Sequence, residues 1–406
     1  MNNIDSDFWE FIELNAGTDI NKLILSQKNK VHSFDLKDAI LQIECRKKYQ
    51  GKLSKFITGT HFLFPDSISG EQSSHQAIAF YHSSLASSCK NILDMTCGLG
   101  IDSLSFANAG IYVTAIDIDP HKVSTLNKNA ATLGSTLLKA FSAESIEFLR
   151  NSNENYDLIF VDPSRRDDSN KRLYNLKDCS PDIIENQNLL LQHSSTVLIK
   201  ASPLLDISKT LKDFHNISAI RLVGVKGECK EILVELSSDN SLNTILFEAI
   251  DLDNEGSFIS SFSKKIPIKE TVEKEQYVNF ALEEDLKPGN FLLEPSAMMM
   301  KLAFWEDIYK IYNAKKIGKS SHLFVTDKLP KDFPGRVTKI DKCLTKKDRK
   351  SLCGFPASVV SRNYPLSSDE IRKSLKLKEG DENFLYATRL GKYPILLLTK
   401  SETIPG

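Results

Sequence analysis

The chain has 406 residues, 41% of them hydrophobic, enough for two to four domains with full cores. Lys and Arg total 52 against 53 Asp and Glu, a formal net charge of −1, so overall charge singles out no polyanionic partner. Seven scattered cysteines without a C-x-x-C pair argue against a zinc site or disulfide framework, and no apolar run approaches the ~18 residues of a membrane span.

In chain order, the opening MNNIDSDFWEF has no basic-then-apolar leader, so the expected compartment is the cytoplasm. Residues 1–66 read as a mixed-charge helical region with the cluster Arg46-Lys47-Lys48, then Lys52 and Lys55. The turn-like FPDSISG (64–70) separates it from a helix, EQSSHQAIAFYHSSL. Strands are predicted at 91–95, 111–116, 136–141, 157–161, 196–200, 219–225 and 231–236, with helical patterns between them, the alternation of a parallel α/β sheet. The last two, AIRLVGV and EILVELS, joined by KGECK, read as a β-hairpin. Residues 242–285 are ambiguous, with one or two further strands (Thr244 to Leu252, Ser257 to Phe262). A new unit is expected to start near Gly289, in NFLLEPSAMMMKLAFWEDIYKIY, where Met298 to Met300 fit a buried helix face better than a flexible contact surface. The final segment opens with FPGR, crosses a lysine-rich stretch and closes with two strand-like runs, NFLYATRL and YPILLLT. Residues 301–400 hold 22 Lys and Arg against 11 Asp and Glu, a local +11, which leaves −12 elsewhere. That asymmetry suggests a basic C-terminal region facing a polyanion and an acidic catalytic part; a solvated basic face is the alternative.

The most informative stretch is NILDMTCGLGIDSLSFANAGIYVTAIDIDP (91–120). A strand ends in Asp94, a loop carries Gly98 and Gly100, a helix follows, and a second strand ends in Asp117. Glycines let the backbone approach a ligand, and an acid at the second strand end can accept hydrogen bonds from ribose hydroxyls. A dinucleotide site would want glycine where Ser103 stands, and Asp94 would repel a pyrophosphate at the helix N-terminus. A carboxylate there suits a cation, and S-adenosyl-L-methionine has an ammonium and a sulfonium but no phosphate. Asp94, Thr96, Gly98, Gly100, Asp117, Ile118 and Glu144 are therefore the candidate cofactor-binding residues. Glu144 stands where an acid can receive an adenine amino group, and equally where it would favour a helix N-terminus.

The D-x-x-x-G-x-G run with an acid 17 positions beyond Gly100 resembles the donor-binding motifs of class I methyltransferases. The fourth strand, YDLIFVDPSRRDD, resembles the D/N-P-P-Y/F signature of amino-directed members, with Asp162 and Pro163 in its first two places. There the polar residue and a backbone carbonyl hold the target amine. Ser164 replaces the second Pro and Arg165 stands where the aromatic would be; Arg165 and Arg166 are candidate substrate-binding residues, able to stack on a base or grip phosphate, or else to pair with Asp167 and Asp168. The fifth strand ends in VLIKASP, which sets Lys200 across from Asp162. No cysteine stands near that strand end, which disfavours carbon-5 pyrimidine chemistry through a thiolate. Asp162, Lys200 and Glu231 also fall where ribose 2′-O-methyltransferases keep three members of a Lys-Asp-Lys-Glu tetrad, or do so by coincidence; the fourth is not placed.

The core is similar to the trimethylguanosine-synthase-like RNA methyltransferases. The whole chain resembles a bacterial family of class I methyltransferases with a ferredoxin-like segment and a THUMP-like C-terminal domain, carried by EQSSHQAIAFY, DMTCGLGID, FVDPSRRD, VLIKASPLLDI, FLLEPSAMMMK, SHLFVTDKLPKDFPGR and SRNYPLSSDEIRKSLKLKEG. The resemblance implies a Rossmann-like α/β sheet of seven strands with a terminal antiparallel hairpin, preceded by a helical region and followed by smaller α+β domains. The implied divisions are 1–66 (helical), 67–285 (methyltransferase), 286–330 (ferredoxin-like) and 331–406 (THUMP-like, RNA-docking). It also implies an S-adenosyl-L-methionine-dependent enzyme on RNA (tRNA or rRNA), without a metal or a membrane and of open oligomeric state. A purine nitrogen is the expected target, with Asp162, Pro163 and Lys200 as catalytic candidates. The alternatives are a ribose 2′-hydroxyl with Lys200 as base, or a non-enzymatic RNA-binding or assembly factor.

Overall fold

The computed structural model describes residues 6–28, 30–165, 176–271 and 277–402. They form two compact units, one comprising Met1–Lys226, Lys230–Leu246 and Leu252–Ser257, the other Gly227–Cys229, Phe247–Asp251 and Phe258–Gly406.

The first unit opens with helices α1 (Ser6–Asn15), α2 (Ile20–Gln27) and α3 (Leu36–Ile57), the latter two capped by the carboxylates of Asp19 and Asp35. Phe8, Trp9, Ile12, Leu23, Ala39 and Ile43 bury one apolar cluster there together with Leu63. Arg46, read above as part of a basic cluster, is a structural group: it donates to the carbonyls of Ile57 (2.8 Å), Thr60 (2.9 Å) and Phe62 (2.7 Å). The helix expected across 71–85 is two, α4 (Ser69–Gln72) and α5 (Gln76–Leu85), because His75 leaves the helix to cap α5, its Nδ1 accepting from the Ala77 amide (3.1 Å).

Next come β1 (Asn91–Asp94), α6 (Ile101–Asn108), β2 (Tyr112–Asp117), α7 (Pro120–Thr132), β3 (Leu138–Ser142), α8 (Ser145–Arg150) and β4 (Leu158–Val161). A small ribbon pairs β5 (Ser164–Arg165) with β6 (Cys179–Ser180). Then follow α9 (Ile183–His193), β7 (Thr196–Ala201), α10 (Ile207–Asp213), β8 (Ile217–Val225) and β9 (Glu228–Ser237), and after them β10 (Thr244–Leu252), whose residues are divided between the two units, and β11 (Phe258–Pro267), which belongs to the second. The sheet order is β11-β10-β8-β9-β7-β4-β1-β2-β3. Strands β3, β2, β1, β4 and β7 run parallel, and β9 is antiparallel to β7. The expected seven strands are all present; the ambiguous stretch supplies β10 and β11 and makes the sheet nine-stranded. Every residue of β4 is buried, the continuous apolar run of a strand covered on both faces. Strand order reverses between β1 and β4, so their carboxyl ends form the crevice where doubly wound sheets hold ligands.

The second unit holds β12 (Phe291–Pro295), α11 (Ala297–Leu302), α12 (Trp305–Tyr312), β13 (Lys315–Lys316), β14 (Phe324–Thr326), β15 (Gly335–Cys343), α13 (Lys346–Ser351), β16 (Ser358–Ser361), α14 (Ser368–Leu375), β17 (Asn383–Leu390) and β18 (Tyr393–Ser401). They make one seven-stranded sheet, β13-β14-β12-β15-β18-β17-β16. Met298 and Met299 are fully buried, as a helix core face requires. The glycine of FPGR, Gly335, is demanded by close approach: a Cβ there would collide with the Glu294 carbonyl. Buried Glu294 is the polar hub of this sheet, accepting from Arg336 Nη1 (3.1 Å), Arg362 Nη2 (2.9 Å) and the Tyr386 hydroxyl (2.9 Å).

Candidate functional site

The glycine loop leaves β1 through two left-handed residues, Gly98 (φ 52°) and Gly100 (φ 83°). At Gly100 a Cβ would also strike the Leu126 side chain, so the position tolerates only glycine. Asp117, at the end of β2, clamps this loop: its Oδ2 accepts from the Gly98 amide (2.9 Å) and its Oδ1 from the Asp119 amide (2.9 Å). The next residue, Ile118, is 74% exposed, an apolar face beside the carboxylate. Glu144 caps α8 by accepting from the Glu147 amide (2.7 Å), and the Ala143 amide donates to the Asp117 carbonyl (3.1 Å), so the ends of β2 and β3 stand together.

Asp94 turns inward. Its Oδ2 accepts from the Ser103 hydroxyl (2.5 Å) and its Oδ1 from the Thr96 amide (3.1 Å). Ser103, where a dinucleotide site would have glycine, is thus the group that holds this carboxyl. Burial pushes Asp94 up to about 7, and repulsion from Asp102 and Asp162 adds to the rise.

Thr96 joins the two central strand ends, its hydroxyl accepting from the Asp162 amide (2.7 Å) just beyond β4. The Asp162 side chain is 36% exposed and its Oδ2 meets Lys200 Nζ at 2.5 Å, with Lys200 12% exposed. Burial lowers the Lys200 pKa, but Asp162, Glu231 and Asp102 outweigh it and hold the ammonium above its ordinary value. Asp162 in turn is raised, by burial first and by Asp102 and Glu231, against the pull of Lys200. Pro163 follows directly; the side chain of Arg165 and all of Arg166 lie outside the described residues.

Behind this pair lies a network that sequence reasoning missed. His82, fully buried on α5, places Nδ1 2.8 Å from Asp102 Oδ1 and Nε2 2.6 Å from Glu231 Oε1, while Ser74 donates to Asp102 Oδ2 (2.5 Å). Burial disfavours the imidazolium, but Glu231 and Asp102 outweigh it and raise His82 to about 9, so the ring is charged at neutral pH. Lys52 Nζ donates to the carbonyls of Gly70 (3.0 Å) and Glu71 (2.8 Å); burial, then Lys200 and Lys230, lowers it to about 8. Glu231 is singled out by the sequence beside Lys200, but for His82 the sequence offers just a histidine in an apolar helix, which more often marks a satisfied core residue. Four carboxyl groups (Asp94, Asp102, Asp162 and Glu231) share this region with three cations, His82, Lys200 and Lys52, and the carboxyls nearest the loop, Asp94 and Asp162, can face a cationic ligand. Among the described residues no cluster has the make-up of a metal site.

Three family models match the chain: residues 89–238 an RNA cap guanine-N2 methyltransferase, residues 291–334 a ferredoxin-like domain, and residues 335–401 a THUMP domain-like region. Two curated relatives are 23S rRNA (uracil(747)-C(5))-methyltransferases RlmC, from Shigella boydii and Salmonella arizonae. Each is 32% identical over 77 residues, 19% of this chain, so the chain spans about a fifth (20%) of their length. A crystal structure of a methyltransferase candidate from Porphyromonas gingivalis W83 covers 98% of both chains at 23% identity and a TM-score of 0.81, a likeness of fold.

Proposed function

We propose that this chain, in which a class I methyltransferase domain is followed by ferredoxin-like and THUMP-like domains, transfers a methyl group from S-adenosyl-L-methionine to a purine nitrogen of RNA (tRNA or rRNA). The reading is carried by the carboxylate-rich crevice clamped by Asp117 at the switch point of the sheet. The domains would divide as 1–66, 67–285, 286–330 and 331–406, the last docking RNA in the cytoplasm.

The residues fit the donor. Asp117 keeps lone pairs free for ribose hydroxyls, exposed Ile118 offers a surface for adenine, and Glu144 stands at the neighbouring strand end. Gly98, Gly100 and Thr96 shape the loop, and Asp94 with its neighbours supplies negative potential for the ammonium and sulfonium. When bound, the donor supplies an electrophilic methyl group. The protein's own work is positioning, which suffices for amine attack. Asp162 accepts a hydrogen bond from the target N–H and aims its lone pair, Pro163 shapes the pocket, and Lys200 fixes the carboxylate. One N–C bond forms as C–S breaks, and the raised pKa of Asp162 suits it to take the proton that nitrogen sheds. Arg165 and Arg166 are assigned to substrate by sequence alone.

Carbon-5 chemistry, the activity named for the relatives, needs a thiolate. Cys97 is buried at the loop, and burial, then Asp94 and Asp117, drives its thiol well above the ordinary value. The ribose 2′-hydroxyl alternative keeps one observation in its favour: Lys200 does sit in the field of Asp162 and Glu231. That field holds Lys200 protonated, which opposes its use as the base.

Two measurements test the reading. Labelled donor with total RNA, followed by nucleoside mass spectrometry, should show a methylated purine base; a ribose mark or no RNA label would overturn it. Calorimetry should show Asp117→Ala weakening donor binding by about 2–4 kcal/mol through loss of charge-assisted hydrogen bonds. Equal affinity for wild type and variant would remove Asp117 from the donor site.

A further inference from the structure

His82 has no part in the chemistry set out above, yet it is fully buried with charge on both sides. Its two ring nitrogens face two carboxyl groups, Asp102 at 2.8 Å and Glu231 at 2.6 Å. Ionised carboxylates only accept, so both nitrogens donate and the ring is an imidazolium. The ring also packs on Phe160, with centroids 5.2 Å apart, two residues before Asp162 in the chain.

Strand register brings Glu231 within reach of the Asp162–Lys200 pair. Lys200 stands opposite Leu233 in the β7–β9 ladder, so their side chains share a face of the sheet. Glu231, two residues from Leu233, projects from that same face. Such diagonal neighbours stand about 7–8 Å apart, inside the span of a lysine's flexible four-carbon stem. One ammonium therefore has two carboxylates within its range. Lys200 meets Asp162, at 2.5 Å, while Glu231 Oε1 accepts from His82 Nε2.

We propose that His82 is a positioning residue: by satisfying Glu231 it leaves the Lys200 ammonium to Asp162, and so orients the carboxylate that meets the substrate. That Asp162 meets a target nitrogen rests on the methyl-transfer reading above; the choice of partner by Lys200 does not. Without the imidazolium, Glu231 is a buried carboxylate left uncompensated, and such a charge draws the nearest cation. Lys200 then turns to Glu231, and Asp162 loses the contact that orients it.

His82→Gln, Glu231→Gln and the double variant test it. Glutamine keeps hydrogen-bonding groups in the space but carries no charge. Single-turnover methyl transfer to total tRNA and rRNA is measured at a temperature where calorimetry shows each protein folded. It should fall about 10- to 100-fold in His82→Gln, the cost of a misplaced group. The double variant should recover to within about threefold of wild type, because the competing carboxylate is gone. A role in folding alone predicts no such rescue. A fall without rescue overturns the proposal, as does undiminished transfer by His82→Gln.

If His82→Gln does not fold, the pH profiles of wild type and Glu231→Gln decide. The charged groups on the elements around His82 are Asp102 (α6), Glu231 (β9), Asp162 (after β4), Lys200 (β7), Lys52 (α3) and Arg221 (β8), the last paired with Glu235 at 2.6 Å. His82 loses its proton near pH 9, so wild-type transfer should fall above that pH and Glu231→Gln should lack that limb. A limb common to both proteins arises elsewhere, Lys52 included, and overturns the proposal. If wild type transfers no methyl group to RNA, the methyl-transfer reading fails. Crystal structures of His82→Gln, or of wild type above pH 9, then decide: Lys200 Nζ on Glu231 upholds the proposal, and Lys200 Nζ still on Asp162 overturns it.

Discussion

Asp162→Asn is expected to lower methyl-transfer turnover by about 100-fold or more, with donor affinity within about twofold of wild type. The substitution keeps an oxygen at the end of β4 and the backbone tie to Thr96, but removes the charge that Lys200 meets at 2.5 Å. A neutral amide can still accept a hydrogen bond from the target N–H. It cannot take the proton, and its orientation is no longer fixed by the ammonium. Lys200→Ala makes the contrast. If Lys200 only positions Asp162, turnover should fall less than in Asp162→Asn, and Lys200→Arg should restore part of it. If Lys200 were the base for a ribose hydroxyl, Lys200→Ala would be the more severe of the two. Single-turnover transfer measured for all four proteins decides between these, and undiminished transfer by Asp162→Asn would remove that residue from the chemistry.

His82→Leu is expected to destabilise the first unit by about 3–5 kcal/mol, the effect of removing one member of a buried charge network. The change leaves Asp102 and Glu231 facing an apolar side chain in a space closed to water, with only Ser74 still donating to Asp102. In scanning calorimetry this should read as a fall of roughly 10 °C in the transition of that unit. The pH dependence is the sharper signature. The folded-state pKa of His82, raised to about 9, stands above its ordinary 6.5, so its contribution is fully present below pH 6.5 and fades as pH rises through about 9. Wild type should therefore lose stability across that window, and His82→Leu should lose much less. Parallel curves for the two proteins would show that the imidazole is not charged in the fold.

The alternation of strand and helix was legible because each element is short, apolar and punctuated, and the hairpin of β8 and β9 announced itself through KGECK. Of the two strands read as ambiguous, β10 is buried or half-buried throughout and β11 is mostly exposed, so neither shows a clear alternation of buried and exposed faces. The break at His75 escaped notice because a histidine cap leaves no mark in hydrophobic periodicity. At the crevice, the gathering of Asp94, Asp117, Glu144, Asp162 and Lys200 followed from strand ends alone, since topology brings those ends together. What could not be read was that Asp94 turns inward to Ser103, or that His82 joins Asp102 to Glu231 across 149 positions of sequence. Both depend on side-chain direction rather than on register.

The carboxyl of Asp94, held near pH 7 beneath the glycine loop, makes the crevice a proton exchanger at the very pH where it would operate. A sulfonium and an ammonium arriving beside Asp94, with Asp102 and Asp162 close by, favour its ionised form. Complex formation at pH 7 should then expel a fraction of a proton into the buffer, and affinity for the donor should climb between about pH 6 and 8 before levelling off. Calorimetric titrations in two buffers of unlike ionisation enthalpy read that proton directly as a difference in apparent heat. Identical heats in both would mean that the ligand's charge does not reach this carboxyl.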